Sequence, residues 1–296
     1  MKISAVILTY NEQKHIQRCL DSLIGIVDYI YILDSYSTDE TLAIASKYSN
    51  VEISQNKFVN HALQFNTALE IFDITSDWVM RIDADEYIDS ECGDFLKNKL
   101  QSIDSNVKGV YFNRHINFLG RQLVYGGMSS YWILRLWRNG YGRCEQRWMD
   151  EHIVLSEGNA IKAQGKLIDY NLNDLSWWSH KHVDYSTKEA IDILTRDTKS
   201  DELEPSIFGS KSERIRFLKH RYNSMPIFLR PLIYFVYRYF FKLGFLDGKE
   251  GFLWSFFQGF WYRVLVDAKV YEIKKIAQNE GRDISLIIKD MYGYEI

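Results

Sequence analysis

The sequence contains little cysteine. Its three cysteines, Cys19, Cys92 and Cys144, are scattered along 296 residues and form no CxxC pair. A zinc knuckle needs paired cysteines and a disulfide framework usually needs an even number, so neither is expected. A reducing compartment is the simpler fit to this cysteine usage.

Long apolar runs and a strong net charge are also missing. No uninterrupted apolar run reaches the roughly 20 residues that span a membrane as a helix. The first apolar run, residues 3–8, is short and is soon followed by Glu12 and Lys14, so we expect no signal peptide. The formal net charge of −3 provides no overall attraction to nucleic acid, which is not expected as a partner.

The first part of the chain alternates short apolar segments with segments of helical periodicity. The predicted strands are residues 3–9, 29–33, 51–54 and 77–82. Short continuous apolar runs are typical of strands buried on both faces, and the alternation predicts an α/β fold with helices on both sides of a parallel sheet. Strand-like segments and glycines after residue 90 predict a mixed extension of this sheet, and the chain from residue 186 is predicted to be helical.

Polar residues mark the predicted helix starts. Asn11 and Asn60 are of the type that caps helix N-termini, and residues 37–40 have the spacing of a capping box. Ser186 or Thr187 is predicted to cap the first helix of the C-terminal part.

An acidic cluster follows the fourth predicted strand. Asp83 and Asp85 are two residues apart, and such residues point the same way on an extended backbone, so their carboxylates can converge on one ligand. Together with Glu86 they repel each other unless a cation or hydrogen-bond donors compensate, and Mg²⁺ carrying nucleotide phosphates is a natural compensator. The alternative is a charged turn after an edge strand. The position favours a ligand, because open α/β sheets bind ligands at the carboxyl ends of their strands.

Other strand ends are polar too. Tyr10, Asn11 and Glu12 follow the first strand, and Asp34 ends the second. The first turn lacks the GxGxxG pattern of an NAD site, and Asp34 can accept a hydrogen bond from a base or a ribose hydroxyl. Polar groups at three strand ends on one edge of a sheet indicate a shared binding site.

These segments resemble a known family. Residues 6–12 (VILTYNE), 33–35 (LDS), 37–39 (STD) and 81–86 (RIDADE) strongly resemble the family 2 glycosyltransferases of the GT-A fold. Within that family the likeness is closest to bacterial enzymes of lipopolysaccharide and surface-polysaccharide assembly. The resemblance implies transfer of a sugar from a nucleotide donor, commonly UDP-linked, with inversion at the anomeric carbon. It also implies Mg²⁺ or Mn²⁺ as cofactor, and a lipid-linked glycan or lipopolysaccharide as acceptor.

The resemblance also implies roles for individual residues. Tyr10, Glu12 and Asp34 are expected to hold the base and ribose. Asp83 is expected beside the ribose, and Asp85 is expected to bind the cation that bridges the diphosphate. The other residues expected near the nucleotide sugar are Thr9, Asn11, Phe58, Gln64, Asn66, Arg81 and Ala84.

The segment around Asp150 holds the expected catalytic base. An inverting transfer needs a carboxylate that takes the proton of the acceptor hydroxyl, and the family places an acid in this region. Asp150 and Glu151 are adjacent and point in different directions on an extended chain, so only one can be the base, and Asp150 is preferred. His152 can orient the base. A solvated loop is the alternative that these residues favour when taken alone.

Residues 177–182 (WWSHKH) form a second cluster. His180 and His182 are predicted to lie on one side of a strand, with Lys181 on the other side. Relatives use a histidine of a comparable segment as a ligand of the metal or the diphosphate, so both histidines are candidate metal ligands. The alternative is a lid loop without direct contact.

The C-terminal third is dense in aromatic residues. Arg230, Arg238 and Lys242 recur at spacings that place them on one face of a helix whose other face is apolar. This pattern predicts a helix lying in the membrane interface, with its cations toward anionic headgroups. A second aromatic helix is predicted at residues 252–266. A helical hairpin packed on the sheet, or a dimer interface, is the alternative.

The predicted organisation is a catalytic domain of residues 1–200 followed by a helical, membrane-associated region of residues 201–296. The protein is expected in the cytoplasm, bound peripherally to the inner face of the cytoplasmic membrane. A nucleotidyltransferase would need a glycine-rich basic loop after the first strand, which this chain lacks. A catalytically inactive nucleotide-sugar sensor or membrane scaffold is the remaining alternative, and the intact acidic cluster argues against it.

Overall fold

The chain divides into two compact units in a computed structural model. The residues described are 1–127, 130–145, 151–195, 221–222 and 224–294. The first unit comprises Met1–Val124 and Met128–Asn173, and the second comprises Tyr125–Gly127 and Asp174–Ile296. The helix Leu175–Thr195, which the sequence assigned to the catalytic domain, therefore groups with the C-terminal helices.

A mixed sheet is the framework of the first unit. Its strands are β1 (Ile3–Thr9), β2 (Tyr29–Asp34), β3 (Val51–Gln55), β4 (Trp78–Arg81), β5 (Glu86–Ile88), β6 (Val107–Phe118), β7 (Arg121–Gln122) and β8 (Ser130–Arg138), with β11 (Asn159–Tyr170). Their order is β3-β2-β1-β4-β8-β6-β11-β5, and β7 pairs with β6. The pairings among β1 to β4 are parallel, whereas β8 is antiparallel to both of its neighbours. Strands β9 (Gly142–Cys144) and β10 (Ile153–Leu155) form a separate antiparallel pair. The predicted parallel sheet with a mixed extension is confirmed.

Helices cover both faces of this sheet. They are α1 (Ile16–Leu23), α2 (Thr41–Ala45), α3 (His61–Ile71) and α4 (Ser90–Asp94). Side chains alternate along a strand, so neighbours in β1 enter different clusters. Ile7 packs in the cluster that contains Leu20 of α1, and Val6 packs in the cluster that contains Phe65 of α3. Burial on both faces explains why the strands are continuously apolar.

The helix starts agree with the sequence at one asparagine and differ at the other. Asn60 caps α3, because its side chain accepts a backbone N–H of the first turn. Asn11 does not cap α1, which begins at Ile16 after His15. Asn11 has a φ of 57°, and its Oδ1 accepts the Thr38 N–H at 2.8 Å. The short amide side chain is used between loops rather than at a helix end, because the chain turns before the helix starts.

The second unit is helical. It contains α5 (Leu175–Thr195), α6 (Leu229–Val236), α7 (Gly248–Phe256), α8 (Tyr262–Glu280) and α9 (Ile284–Tyr292). The π-helical turns Tyr237–Phe241 and Phe257–Trp261 continue α6 and α7. Helix α5 packs on α8 through Ala190, Tyr262 and Val266. Among the described residues, none of the helices combines the length and the apolar character that crossing a bilayer requires.

The strand predicted at residues 177–182 is wrong. These residues lie in α5, whose first turn is held by Asp174, because its Oδ1 accepts the Trp177 N–H at 2.8 Å. Ser186 and Thr187 are therefore inside the helix rather than at its start. The local pattern of aromatic and polar residues has no helical period, and packing further along the helix decides its conformation.

The predicted cationic face of the C-terminal helices is also wrong. Arg230 and Arg238 are only 3% and 1% exposed, and Lys242 alone of the three is exposed. Arg230 is ion-paired with Asp267, and Arg238 Nε donates to the Gly126 carbonyl at 2.9 Å. Helical spacing cannot reveal acceptors that lie far away in the chain, so it could not show that these two guanidinium groups point inward.

Candidate active site

The ends of β1 and β2 lie side by side. Thr9 and Asp34 are in register, and Thr9 Oγ1 donates to Asp34 Oδ1 at 2.8 Å. Asp34 is fully buried, and its Oδ2 accepts from the Ser37 N–H at 2.8 Å and from Gln55 Nε2 at 3.0 Å. Both carboxylate oxygens therefore have donors within the protein, and Asp34 shapes the loop that follows β2. A role for Asp34 at the base or ribose stays a prediction.

The loops that follow β1 and β2 are joined to each other. The Asn11 N–H donates to Ser37 Oγ at 2.8 Å, and Asn11 Oδ1 receives the Thr38 N–H. The Glu12 N–H donates to Thr41 Oγ1 at 2.7 Å. These bonds make one polar edge from two strand ends, at the place where open sheets bind ligands.

Tyr10 is the exposed ring on this edge. Its side chain is 60% exposed, while its neighbours hold the backbone of the loop. An exposed aromatic ring on a fixed backbone can stack on a planar base. Phe58, also expected near the nucleotide, is exposed as well.

Two amide side chains expected at the nucleotide serve the protein framework instead. Gln64 is buried, and its Nε2 donates to Ser35 Oγ at 3.1 Å. Asn66 Nδ2 donates to the Cys144 carbonyl at 2.9 Å, and Asn66 Oδ1 accepts the Cys144 N–H at 3.0 Å. Asn66 therefore ties α3 to β9, and its contact with a nucleotide sugar stays a prediction.

The acidic cluster after β4 lies on a turn, so the predicted extended backbone is wrong. The Glu86 N–H donates to the Asp83 carbonyl at 2.9 Å, which reverses the chain across Ala84 and Asp85. The two aspartates then have different partners. Asp83 Oδ2 accepts from Arg135 Nη2 at 2.6 Å, whereas Asp85 Oδ2 accepts from Asn171 Nδ2 at 3.1 Å.

Arginines compensate most of the negative charge of this cluster. Glu86 is fully buried and accepts from Arg135 at 2.7 Å and from Arg114 at 2.6 Å. Burial alone would raise the pKa of Asp83, but the guanidinium groups of Arg135 and Arg81 hold it well below its usual range. Arg114 and Arg135 were not among the residues predicted for the site. A charged residue inside an apolar strand, such as Arg135 in β8, was the available signal.

Asp169 completes the charged cluster at the end of β11. Its Oδ2 lies 2.8 Å from Arg114 Nη2. Burial raises the pKa of Asp169 to about 7, and the negative charges of Asp85 and Glu86 act in the same direction against the pairing with Arg114. Asp169 therefore takes up a proton near neutral pH although it lies beside Arg114.

Asp85 is the aspartate that remains for a cation. Its backbone carbonyl accepts from Arg18 Nη2 at 3.0 Å and from the Tyr170 N–H at 3.1 Å, so its position is fixed. In the described part of the chain, its carboxylate is bonded by Asn171 alone. A half-buried oxygen ligand of this kind fits Mg²⁺ or Mn²⁺, since Mg²⁺ usually binds one or two carboxylates together with substrate phosphates. The described residues contain no group of three or more histidine, cysteine or acidic side chains that could hold a metal ion.

Of the two candidate bases, Glu151 is described and Asp150 lies outside the described residues. Glu151 Oε1 lies 3.1 Å from Arg81 Nη2, and Arg81 Nε lies 3.4 Å from Asp83 Oδ1. Arg81 thus connects two carboxylates within the unit. It is only 8% exposed, so it offers little surface to a ligand. His152 Nδ1 lies 3.2 Å from Glu145 Oε1, and its predicted role in orienting the base stays a prediction.

The two candidate metal-binding histidines lie on α5 in the second unit. Residues two apart on a helix do not share a face, so His180 and His182 point in different directions. His182 stacks on Trp178 with 3.5 Å between ring centroids, and burial lowers its pKa to about 4. Their role as metal ligands stays a prediction.

The family model of glycosyl transferase family 2 matches residues 4–161. The chain belongs to the family 2 glycosyltransferases. The match spans the two joined strand ends, the acidic turn and Glu151, so the predicted family, enzyme class and GT-A-like fold are confirmed.

Two relatives show how far the likeness to other family members extends. The lipopolysaccharide core biosynthesis glycosyltransferase LpsC of Rhizobium meliloti (strain 1021) is 27% identical over 277 residues, which cover 92% of this chain and 93% of LpsC. The SPbeta prophage-derived glycosyltransferase SunS of Bacillus subtilis (strain 168) is 38% identical over 91 residues, 30% of this chain and 21% of SunS.

Solved structures of glycosyltransferases also align with this chain. S. aureus TarS 1-349 aligns over 95% of this chain and 92% of its own, with 16% identity and a TM-score of 0.44. The mannosyltransferase PcManGT from Pyrobaculum calidifontis, in complex with GDP-Man and Mn²⁺, aligns over 91% of this chain and 87% of its own, with 13% identity and a TM-score of 0.46.

Proposed function

We propose that this family 2 glycosyltransferase moves a sugar, with inversion, from a UDP-linked donor to a lipid-linked glycan or lipopolysaccharide acceptor. The observation that carries the proposal is the polar edge: the joined loops after β1 and β2 and the fixed carboxylate of Asp85 follow neighbouring parallel strands. The acceptor class is supported by the likeness to LpsC over most of both chains.

The donor is bound along this polar edge in our proposal. Tyr10 stacks on the base. Glu12 accepts from the base or the ribose through its carboxylate, which is partly exposed, whereas its N–H is already used within the protein. Asp83 accepts from the ribose beside its pairing with Arg135. Asp83 thus keeps its charge and direction whether or not a cation is bound.

Asp85 holds the divalent cation in this proposal. The cation supplies positive charge to the departing diphosphate, which favours cleavage of the bond to the sugar. Asn171 and the backbone contacts of Asp85 keep the carboxylate in one orientation. Asp150 or Glu151 takes the proton from the acceptor hydroxyl. Asp150 remains our preferred base, since an oxygen of Glu151 is already bonded to Arg81.

Thermal-shift screening against UDP-, GDP- and dTDP-sugars, with and without Mn²⁺, tests the donor. We expect the largest stabilisation with a UDP-sugar plus Mn²⁺, because a ligand that binds only the folded state raises stability by mass action. Calorimetry with Asp85→Ala should show loss of the Mn²⁺-dependent part of UDP binding. Full activity in Asp85→Ala would refute the assignment, and donor binding without any transfer or hydrolysis would favour the sensor alternative.

We further propose that the second unit holds the enzyme on the inner face of the cytoplasmic membrane. Residues 224–246 contain no aspartate or glutamate. Large apolar side chains are exposed there, among them Leu232, Tyr237, Phe240 and Phe241, with Phe241 at 75%. An exposed apolar stretch of this density indicates an interaction surface, and an acid-free stretch with the exposed Lys242 suits anionic headgroups.

Flotation with anionic liposomes tests the membrane proposal. Wild type should float, and the double variant Phe240→Ser/Phe241→Ser should stay in the soluble fraction. Leu286→Ser removes an exposed apolar side chain from α9 and serves as the matched control that still floats. The proposal fails if wild type does not float, or if the double variant floats equally well.

A further inference from the structure

His15 is a buried histidine between two parts of the polar edge, the Glu12 end and the Asp85 end. It lies just before α1 and is 1% exposed. Its Nδ1 is 2.6 Å from Glu12 Oε2, and its Nε2 is 2.8 Å from the backbone nitrogen of Leu172. Both contacts are within the first unit.

These two contacts determine the proton positions on the ring. The Leu172 N–H is a donor only, so Nε2 must accept from it. In the neutral ring, Nδ1 then carries the proton and donates to Glu12 Oε2. The side-chain direction of Glu12 is thus set by a ring whose own orientation is set by the Leu172 backbone.

The segment bonded to His15 is also the segment that holds Asp85. The Tyr170 N–H donates to the Asp85 carbonyl at 3.1 Å, and Asn171 Nδ2 donates to Asp85 Oδ2 at 3.1 Å. Arg18 reinforces this junction, because its Nη2 donates to the carbonyls of both Asp85 and Tyr170. An unbroken path of hydrogen bonds and two peptide bonds therefore leads from Asp85 to Leu172, and from there through His15 to Glu12.

We propose that His15 is a positioning residue that couples the nucleotide end of the site, at Glu12, to the cation end, at Asp85. The proposal rests on the function proposed above, in which Glu12 contacts the nucleotide and Asp85 the cation. The ring has no water-exposed edge to exchange its partners, so the orientation of Glu12 and the position of the Leu172 backbone depend on each other. Glu12 and Asp85 are 73 positions apart in the sequence, and His15 joins these two ends of the site through one ring.

Two conservative variants separate the two contacts of the ring. In His15→Asn, the side-chain NH₂ lies near the place of Nδ1 and still donates to Glu12, but the acceptor for Leu172 is lost. In His15→Gln, the longer amide places an oxygen near Nε2 that still accepts from Leu172, but the donor to Glu12 is lost. His15→Ala loses both contacts. Tyr48→Phe, which removes a 2.6 Å bond to Asp21 on α1, is the matched control in the same unit.

The measurements are the calorimetric Kd of UDP without metal, and the factor by which Mn²⁺ tightens it. Loss of either contact breaks the path between Glu12 and Asp85, so we expect the Mn²⁺ factor to fall by about twofold or more in both His15→Asn and His15→Gln, the smallest effect typical of residues in one network. The metal-free Kd should weaken in His15→Gln, which has lost the donor to Glu12, and change less in His15→Asn, which keeps it. His15→Ala should show both losses, and Tyr48→Phe neither.

A histidine that only stabilises the fold would lower the melting temperature of the variants and leave both UDP measurements at their wild-type values. That result overturns the coupling, as does a wild-type Mn²⁺ factor in His15→Gln, because the two contacts of the ring would then act independently. Failure of the function proposed above looks different, because wild type itself would then bind no UDP with or without Mn²⁺.

Discussion

The Asp83 carboxylate is held by the guanidinium of Arg135, with 2.6 Å between Oδ2 and Nη2. Asp83 and Asp85 are close in sequence, yet this pairing gives them different environments. The charge of Asp83 is compensated by arginine, whereas the carboxylate of Asp85 accepts from the neutral amide of Asn171. The first carboxylate of this motif therefore has a cationic partner and the second has a neutral one, which makes Asp85 the proposed ligand of the cation.

Removing Arg135 should destabilise the first unit. Arg135→Gln leaves the buried carboxylate of Glu86 and the carboxylate of Asp83 without their shared donor. Breaking a buried pair from one side costs about 3–5 kcal/mol, so we expect a loss of this size in the free energy of unfolding, measured by urea denaturation. Arg143→Gln, at an exposed site, should change it by less than about 0.5 kcal/mol. A loss at Arg135 as small as at Arg143 would show that the carboxylates do not depend on it.

Substituting the base should slow the chemical step without weakening donor binding. We expect Asp150→Asn to lower kcat by about 10²–10⁴, the usual contribution of a general base, and Glu151→Gln to lower it less. The reason is that Arg81 already occupies an oxygen of Glu151. Steady-state transfer assays measure kcat, and the UDP Kd of each variant is the control. The opposite order of the two losses would make Glu151 the base.

His182 should make the protein sensitive to acid. Burial lowers its pKa to about 4 in the folded state, below the ordinary value of 6.5. Between these two values the unfolded chain binds the proton and the folded chain does not, so stability falls as the pH falls from about 6.5 to 4. We expect His182 to account for a loss of about 1–3 kcal/mol over this window.

The control for this loss is the other histidine of α5. His182→Gln should flatten the dependence of unfolding free energy on pH, measured by urea denaturation at several pH values. His180→Gln should leave this dependence unchanged, because His180 is exposed. It is a matched control because the Nδ1 of His180, like that of His182, contacts the carbonyl four residues earlier. Identical pH curves for wild type and His182→Gln would contradict the prediction.

Asp169 should act in the opposite direction. Its pKa is raised to about 7 from an ordinary 3.8, so between these values the folded chain holds a proton that the unfolded chain has released. Stability from this group is therefore lost as the pH rises from about 4 to 7. The free energy of unfolding of Asp169→Asn relative to wild type, measured by urea denaturation, should be higher at pH 8 than at pH 5. A difference between the two proteins that is the same at both pH values would show that Asp169 is ionised throughout.

Much of the fold and part of the site could be predicted from local patterns. The apolar runs that became β1 to β4 predicted a parallel sheet because strands buried on both faces leave a continuous apolar segment. The polar residues that follow β1, β2 and β4 predicted a common edge because parallel strands end on the same side. The strand predicted at residues 177–182 was wrong. These six residues of mixed character have no clear period, so packing of the longer helix decided their conformation.

The order of strands and helices, the polar edge and the family motifs were thus determined by the sequence alone, since each depends on residues near one another in the chain. Only the tertiary structure decided which charges meet: Arg135 reaches Asp83 across 52 positions, and Arg230 reaches Asp267 across 37. The physical reason is that a local pattern shows where a charge lies along the chain. Its partner is set by which distant backbone the packed core brings beside it.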